Sequence, residues 1–196
     1  MKIITGEYSG RNIYMPEGIR PTQNVVRKAI FDIIGHDLSG LRFLELYAGS
    51  GAVGIEALSC GAAEVVFVEH DPKNVAVIEE NLGRIRPVDR GLKGTVLKQD
   101  AFFAVKEFAR RHETFDVVFF DPPYGLKLAR KTLNTLVAHD ILTAHSLVLA
   151  EFGDEERMPE VDNRLVLVKN KLYGSSRLLV YERIRDDNSG DLSRKL

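Results

Sequence analysis

The 196-residue chain carries 27 Lys and Arg against 28 Asp and Glu, a formal charge of -1, with 44% hydrophobic residues. That length allows one domain with a full core, and the near-neutral balance argues against a protein that coats nucleic acid by charge alone. Cys60 has no second cysteine to pair with, which excludes an internal disulfide and a cysteine-based zinc site. The opening "MKIITGEYSG" lacks the apolar stretch of a signal peptide, and no apolar run approaches the roughly 18 residues of a membrane span. The expectation is a soluble, cytoplasmic monomer with no membrane partner and no metal.

In chain order, residues 2 to 15 read as a small β element, and "TQNVVRKAIFDII" reads as a helix with Thr22 as N-cap and Val26, Ile30 and Ile33 on one face. From residue 41 short apolar runs alternate with longer amphipathic ones. The runs "LRFLEL" (41 to 46), "EVVFVE" (64 to 69), "GTVLKQ" (94 to 99), "FDVVFF" (115 to 120) and "SLVLAE" (146 to 151) predict strands. Helices are predicted between them at 52 to 60, 72 to 84, 101 to 111 and 126 to 138. Strands interleaved with helices predict an α/β fold, a mostly parallel doubly wound sheet. "RLVLVKNKLYGSSRLLVYERI" then predicts an antiparallel hairpin closing that sheet. The expected organisation is a small N-terminal β/helix extension over 1 to 40, the main domain over 41 to 185, and a loose tail over 186 to 196, whose "DDNSGDLSRKL" has too little apolar surface to order.

"ELYAGSGAVGIEAL" places Gly49, Ser50 and Gly51 after the first strand, and Gly54 completes a G-x-G-x-x-G spacing before a helix. Glycines there let the backbone turn tightly and approach a ligand closely. Glu69 ends the next strand, 20 residues beyond Gly49, where a carboxylate can accept from ribose hydroxyls. A dinucleotide and S-adenosylmethionine both fit so far. Glu45 separates them: a strand-end carboxylate beside the glycine loop repels a pyrophosphate and attracts the sulfonium and ammonium of S-adenosylmethionine. Asp100, followed by Ala101, opens the helix after the third strand; its carboxylate can cap that helix or accept from an adenine amine. Phe102 or Phe103 is positioned to pack on the adenine.

The fourth strand leaves the core through "DPPY", Asp121 to Tyr124. Pro122 and Pro123 lack N–H groups and fix an extended backbone, so their carbonyls stay outside any helix. With the Asp121 carboxylate they make a cluster of acceptors without donors, suited to a planar group bearing two hydrogens. Tyr124 offers a face on which its ring can stack. Holding the N–H groups of an aromatic amine out of the ring plane frees its lone pair for a methyl group placed in line. These four are the candidate catalytic residues.

"DPPY" resembles the motif of amino-group methyltransferases, and three further stretches narrow the likeness. "ELYAGSGAVGIEALSCGA" is similar to the cofactor loop of bacterial 16S ribosomal RNA guanine-N2 methyltransferases of the RsmD type, "MKIITGEYSGRNIYMPEGIRPTQNVVRKAIFDII" to their N-terminal segment, and "KLYGSSRLLVYER" to their closing hairpin. The resemblance implies a Rossmann-like class I S-adenosylmethionine-dependent fold that methylates the N2 amine of one guanine in 16S rRNA, within an assembled or assembling small subunit. By match, Glu45, Gly49 and Gly51 would line the methionine side of the cofactor, Glu69 the ribose and Asp100 the adenine, with Ser50 and Ala101 also among the cofactor-binding residues. Arg20, Pro21 and Thr22 match an "RPT" element near the cofactor or the RNA entrance. Asn24 and Val25 depart from the family, which usually has an Asp-Arg pair there.

Residues 1 to 30 carry five basic against two acidic side chains, +3 overall, and Arg84, Arg86, Arg90 and Lys93 against Asp89 give a second +3 cluster. Arg20, Thr22 and Arg27 from the first segment, with Lys127 and Arg130 after "DPPY", are the candidate RNA contacts. Methylation of DNA adenine N6 or a glutamine amide, and nicotinamide-dependent oxidoreduction, remain the competing readings.

Overall fold

The computed structural model describes residues 1–16, 18, 22–85, 93–123, 127–153, 158, 161–162 and 164–184. After α1 (Asn24–Ile34), strands and helices alternate: β1 (Arg42–Leu46), α2 (Ala52–Ser59), β2 (Glu64–Glu69), α3 (Pro72–Ile85), β3 (Lys93–Lys98), α4 (Ala101–Arg110), β4 (Phe115–Phe120) and α5 (Leu128–His139). Then follow β5 (Leu142–Gly153), the two-residue β6 (Val161–Asp162), β7 (Leu165–Tyr173) and β8 (Ser176–Arg183).

The sheet order is β3-β2-β1-β4-β5-β8-β7-β6. Strands β1 to β5 pair in parallel, whereas β8, β7 and β6 are joined to β5 and to one another antiparallel. Because the chain reverses order beside β1, the loops after β1 and β4 open on one crevice, where ligands of such sheets bind.

Strand alternation divides the core. Phe43, Phe67, Phe119, Leu149 and Val180 pack on one face with Val26, Ile30 and α2, while Leu44, Val66, Phe120, Ala150 and Leu179 pack on the other with Phe108, Leu133 and Leu136. All eight residues of α2 are buried. A Cβ on Gly54 would stand 2.4 Å from Phe67 and 2.7 Å from Glu45 Oε2, so only glycine lets α2 lie this close to the sheet.

The N-terminal extension is bolted to α2. Glu56 accepts from the backbone N–H of Ile4 at 2.8 Å, from Thr5 N–H, and from Thr5 Oγ1 at 2.9 Å, while Ser59 Oγ accepts from Tyr8 N–H at 2.9 Å. Two expectations change here. The β element is a single antiparallel bridge between Lys2 and Asn12, because side chains of α2 take the N–H groups of Ile4, Thr5 and Tyr8 that a ladder would use. Gln23, not Thr22, is the residue before α1, and it makes no side-chain capping bond.

Arg27 also departs from its expected role. It is fully buried, pairs with Glu56 Oε2 at 3.4 Å and donates to Lys2 O at 2.6 Å. Burial pushes its guanidinium below the ordinary value, with Glu56 and Glu45 opposing that shift. A side chain so enclosed cannot reach RNA; it neutralises a carboxylate under the N-terminal arm. The fifth strand is longer than "SLVLAE" suggests, starting at Leu142 with an irregularity in its register between Phe115 and Val117. The expected tail lies outside the described residues. Among those described, no helix is long and apolar enough to cross a membrane.

Candidate active site

A cleft of about 460 Å³ lies over the carboxyl ends of β1, β2, β4 and β5. Its floor is the turn after β1. Tyr47, Gly49 and Gly51 all take positive φ, at 58°, 55° and 72°, which turns the chain from strand into α2 within five residues. For a tyrosine this is a strained conformation of the kind that tight ligand-binding turns store. Its hydroxyl bonds to Thr132 Oγ1 of α5 at 2.8 Å.

Two buried carboxylates fix the turn. Glu69 Oε2 accepts from Gly49 N–H at 2.8 Å, and its Oε1 accepts from the N–H groups of His70 and Asp71 at 2.9 Å each. Glu45 Oε2 accepts from Gly54 N–H at 2.8 Å. Burial pushes the Glu45 carboxyl up to about 8; the Gly54 and Val53 N–H groups and Arg27 oppose this, and Glu69 adds to it. A cation set against Glu45 would oppose that shift and favour the carboxylate. Asn81, buried in α3, locks the same turn from outside, donating to Ser50 O at 3.1 Å and to Tyr14 O at 3.0 Å while accepting from Tyr14 N–H at 2.7 Å. The glycine turn and the N-terminal segment are thus held by one amide.

Of the residues nominated from sequence, Glu45, Gly49, Ser50, Glu69, Asp121, Pro122, Pro123 and Thr22 all line this cleft. Thr22 faces the cavity, and Lys127 and Arg130 are exposed at the start of α5. Gly51 and Gly54 lie behind the turn, against Ile78 and Phe67. Asp100 is the cap of α4, accepting from Phe102 and Phe103 N–H at 2.9 and 3.2 Å, and neither it nor Ala101 is among the described residues that line the cleft. Phe103 is 67% exposed and Phe102 packs under Lys131, whose Nζ stands 4.2 Å from the ring centre. Arg20 and Tyr124 lie outside the described residues.

Sequence reasoning passed over Tyr47, Phe119, Glu151 and Ser176, which also line the cleft. Glu151 carries the same signal as Glu45, a carboxylate at the carboxyl end of an apolar parallel strand. Ser176 gives no such signal, because only the β5–β8 register brings the hairpin turn to the site.

The lining chemistry selects its ligand. Among the described residues the cleft presents Glu45, Glu69, Asp121 and Glu151, and no lysine or arginine. No three of its acidic or imidazole side chains group as a metal site among those residues. An anionic, partly apolar cleft of this size suits an organic cation and opposes a pyrophosphate. S-adenosylmethionine fits: Glu45 would face its cationic methionine end, and Glu69, with lone pairs to spare, its ribose.

The family model described as "Conserved hypothetical protein 95" matches residues 1–182. The chain belongs to that family. It is the RsmD-type family whose cofactor loop, N-terminal segment and hairpin the sequence resembles, and its sheet is the Rossmann-like class I methyltransferase sheet ending in an antiparallel hairpin. Among relatives in this family, the Bacillus subtilis protein named "Putative rRNA methyltransferase YlbH" is 32% identical over 93% of this chain and 99% of its own. The Escherichia coli K12 "Ribosomal RNA small subunit methyltransferase D" is 29% identical over 93% and 90% respectively. A solved structure titled "Putative methyltransferase yhhF from Escherichia coli" superposes with a TM-score of 0.79 at 27% identity, covering 94% of this chain and 98% of that one.

Proposed function

We propose that the protein transfers the methyl group of S-adenosylmethionine to the exocyclic N2 amine of one guanine in 16S ribosomal RNA of the small subunit. Membership of the family, with relatives named as ribosomal RNA methyltransferases, supports ribosomal RNA methylation from S-adenosylmethionine. One observation carries the choice of an amine: Asp121, Pro122 and Pro123 line the same cleft as Glu45 and the glycine turn.

When bound, the cofactor supplies an electrophilic methyl group on a sulfonium. The residues of the chain do the rest by position. Asp121 and the carbonyls of the proline pair accept the two N–H groups of the amine and aim its lone pair along the line to the methyl carbon. Asp121 or a water would take the proton that the amine releases on methylation. The target base must first leave its stack, at a cost of a few kcal/mol that RNA contacts around the cleft offset.

The test offers labelled S-adenosylmethionine with undermethylated small subunits, naked 16S rRNA and duplex DNA, and identifies the methylated nucleoside by mass. N2-methylguanosine from the ribosomal substrates alone is expected, and methyladenine from DNA would overturn the substrate. Asp121→Ala should lower transfer by about 10²- to 10³-fold with cofactor affinity nearly unchanged; activity retained at the wild-type level would refute the role given to the acceptor cluster.

A further inference from the structure

The cleft holds a carboxylate that methyl transfer to an amine leaves unused. Glu151 is 2% exposed and lines the cavity from β5. Strands β4 and β5 pair Phe119 with Leu149 and Phe120 with Ala150. Continuing that register by one residue sets Asp121 beside Glu151, one strand spacing or about 4.8 Å away. Phe119 and Leu149 share one face of the sheet, Phe120 and Ala150 the other, so by alternation Asp121 and Glu151 share the face of Phe119, which itself lines the cleft. Both residues thus line the cleft from neighbouring backbone positions, where the acceptor base would enter. Beyond them β8 places Ser176 opposite Gly153 and Leu178 opposite Glu151, so the Ser176 hydroxyl is the next polar group along that face.

We infer that Glu151 is the specificity-determining residue for the acceptor base, accepting the ring N–H next to the amine that Asp121 holds. The inference deepens the proposed function and rests on it. Guanine presents two adjacent donors, N2–H₂ and N1–H, followed by the O6 acceptor. Asp121 and Glu151 offer acceptors to the first two in that order, with the Ser176 hydroxyl beyond them. A carboxylate has about four lone-pair sites, so bonds to the surrounding protein leave capacity for a ligand N–H. A purine whose N1 is itself an acceptor would set a lone pair against Glu151 in a desolvated cleft, and that repulsion provides selection as well as the attraction. Methyladenine chemistry, open to any acceptor cluster that binds an NH₂ group, is disfavoured by this one residue.

The test uses the full-length chain and small subunits reconstituted on 16S rRNA ligated to carry either guanine or 2-aminopurine at the position the wild type methylates. 2-Aminopurine keeps the N2 amine but has an acceptor at N1. It also lacks O6, so the wild type is expected to prefer guanine by at least the roughly 10- to 100-fold in kcat/KM that one charged hydrogen bond at N1 is worth, and the Glu151→Gln comparison isolates that bond. Glu151→Gln, whose amide can donate to N1, should shrink that preference about tenfold or more while the cofactor Kd stays within about twofold. A wild type that treats both bases alike would overturn the inference without recourse to any variant, so a poorly folding Glu151→Gln does not shelter it. A variant that slows both substrates equally would also overturn it, leaving Glu151 a structural residue and the proposed function intact. A wild type that methylates no guanine in any RNA would bring down the proposed function and this inference together.

Discussion

Glu45→Gln separates the roles given to the carboxylate under the glycine turn. The amide keeps the size of the side chain, and its oxygen can still accept from Gly54 N–H, so the turn should survive. What disappears is the titration. In the ligand-free wild type the carboxyl is pushed up from 4.5 to about 8 by burial, so between those values the folded chain holds a proton that the unfolded chain has lost. Stability from this group is therefore fully present below about 4.5 and lost as pH rises through about 8, with a limiting slope near 1.4 kcal/mol per pH unit. Other carboxylates, Glu64 among them, are shifted down and contribute the opposite slope, so the difference between wild type and variant isolates Glu45. Cofactor binding moves the other way. A cation favours the ionised carboxylate, so wild-type affinity should strengthen by up to tenfold per pH unit toward about 8 and then level off. The variant should bind with no slope from this residue, about 10- to 100-fold more weakly than wild type at pH 8 and nearly equally at pH 6. Titration calorimetry with S-adenosylmethionine at pH 6, 7 and 8, in two buffers of different ionisation enthalpy, reads both the slope and the released proton. A wild-type Kd that ignores pH, or a variant that follows the same curve, would refute the placement of a cation against Glu45.

Two further predictions concern charges outside the cleft. Lys127→Ala and Arg130→Ala, on the exposed start of α5, should each weaken RNA binding and lower the salt slope of log K by up to about 1, leaving cofactor affinity alone; binding to 16S rRNA at a series of salt concentrations measures it, and an unchanged slope would remove that residue from the RNA face. Arg27→Ala should instead act on stability, by about 3 to 5 kcal/mol, because it leaves Glu56 buried without its cation. Denaturant unfolding of that variant is the check, and a loss confined to RNA affinity with stability kept would restore the reading of Arg27 as an RNA contact.

How far the sequence could be read follows from how local each signal is. Strand-end carboxylates beside glycines are local, so Glu45 and Glu69 could be placed from spacing alone, and Asp121 with its prolines likewise. Asp100 was open between cap and ligand, two uses that demand the same position and can coexist; its Oδ1 accepts from Phe102 and Phe103 N–H, which establishes the cap and leaves the ligand reading beside it. Arg27 was misread because a charge on an amphipathic helix is ordinarily solvated; only the packing of α1 on α2 reveals Glu56 beneath it. Thr22 is a good capping residue displaced by one position, a boundary error that tertiary contact routinely imposes. Ser176 escaped notice for a topological reason, since only the β5–β8 register brings it to the site, whereas Glu151 carried the local signal of Glu45 and was passed over.

The distribution of charge around the crevice gives the fold its direction of work. Inside, the described lining is acidic and acceptor-rich, which attracts an organic cation and repels phosphate. Outside, at the exposed start of α5, Lys127 and Arg130 carry the opposite sign, four and seven residues after Pro123 in the chain. Under the proposed function, that distribution would hold an RNA backbone off the cleft and draw it to the rim, so that the uncharged base is the part that enters. The stiff proline pair spans the step from inside to outside, with Pro122 buried and Pro123 exposed. A global charge of -1 conceals this arrangement, since a sum over the chain keeps no record of position.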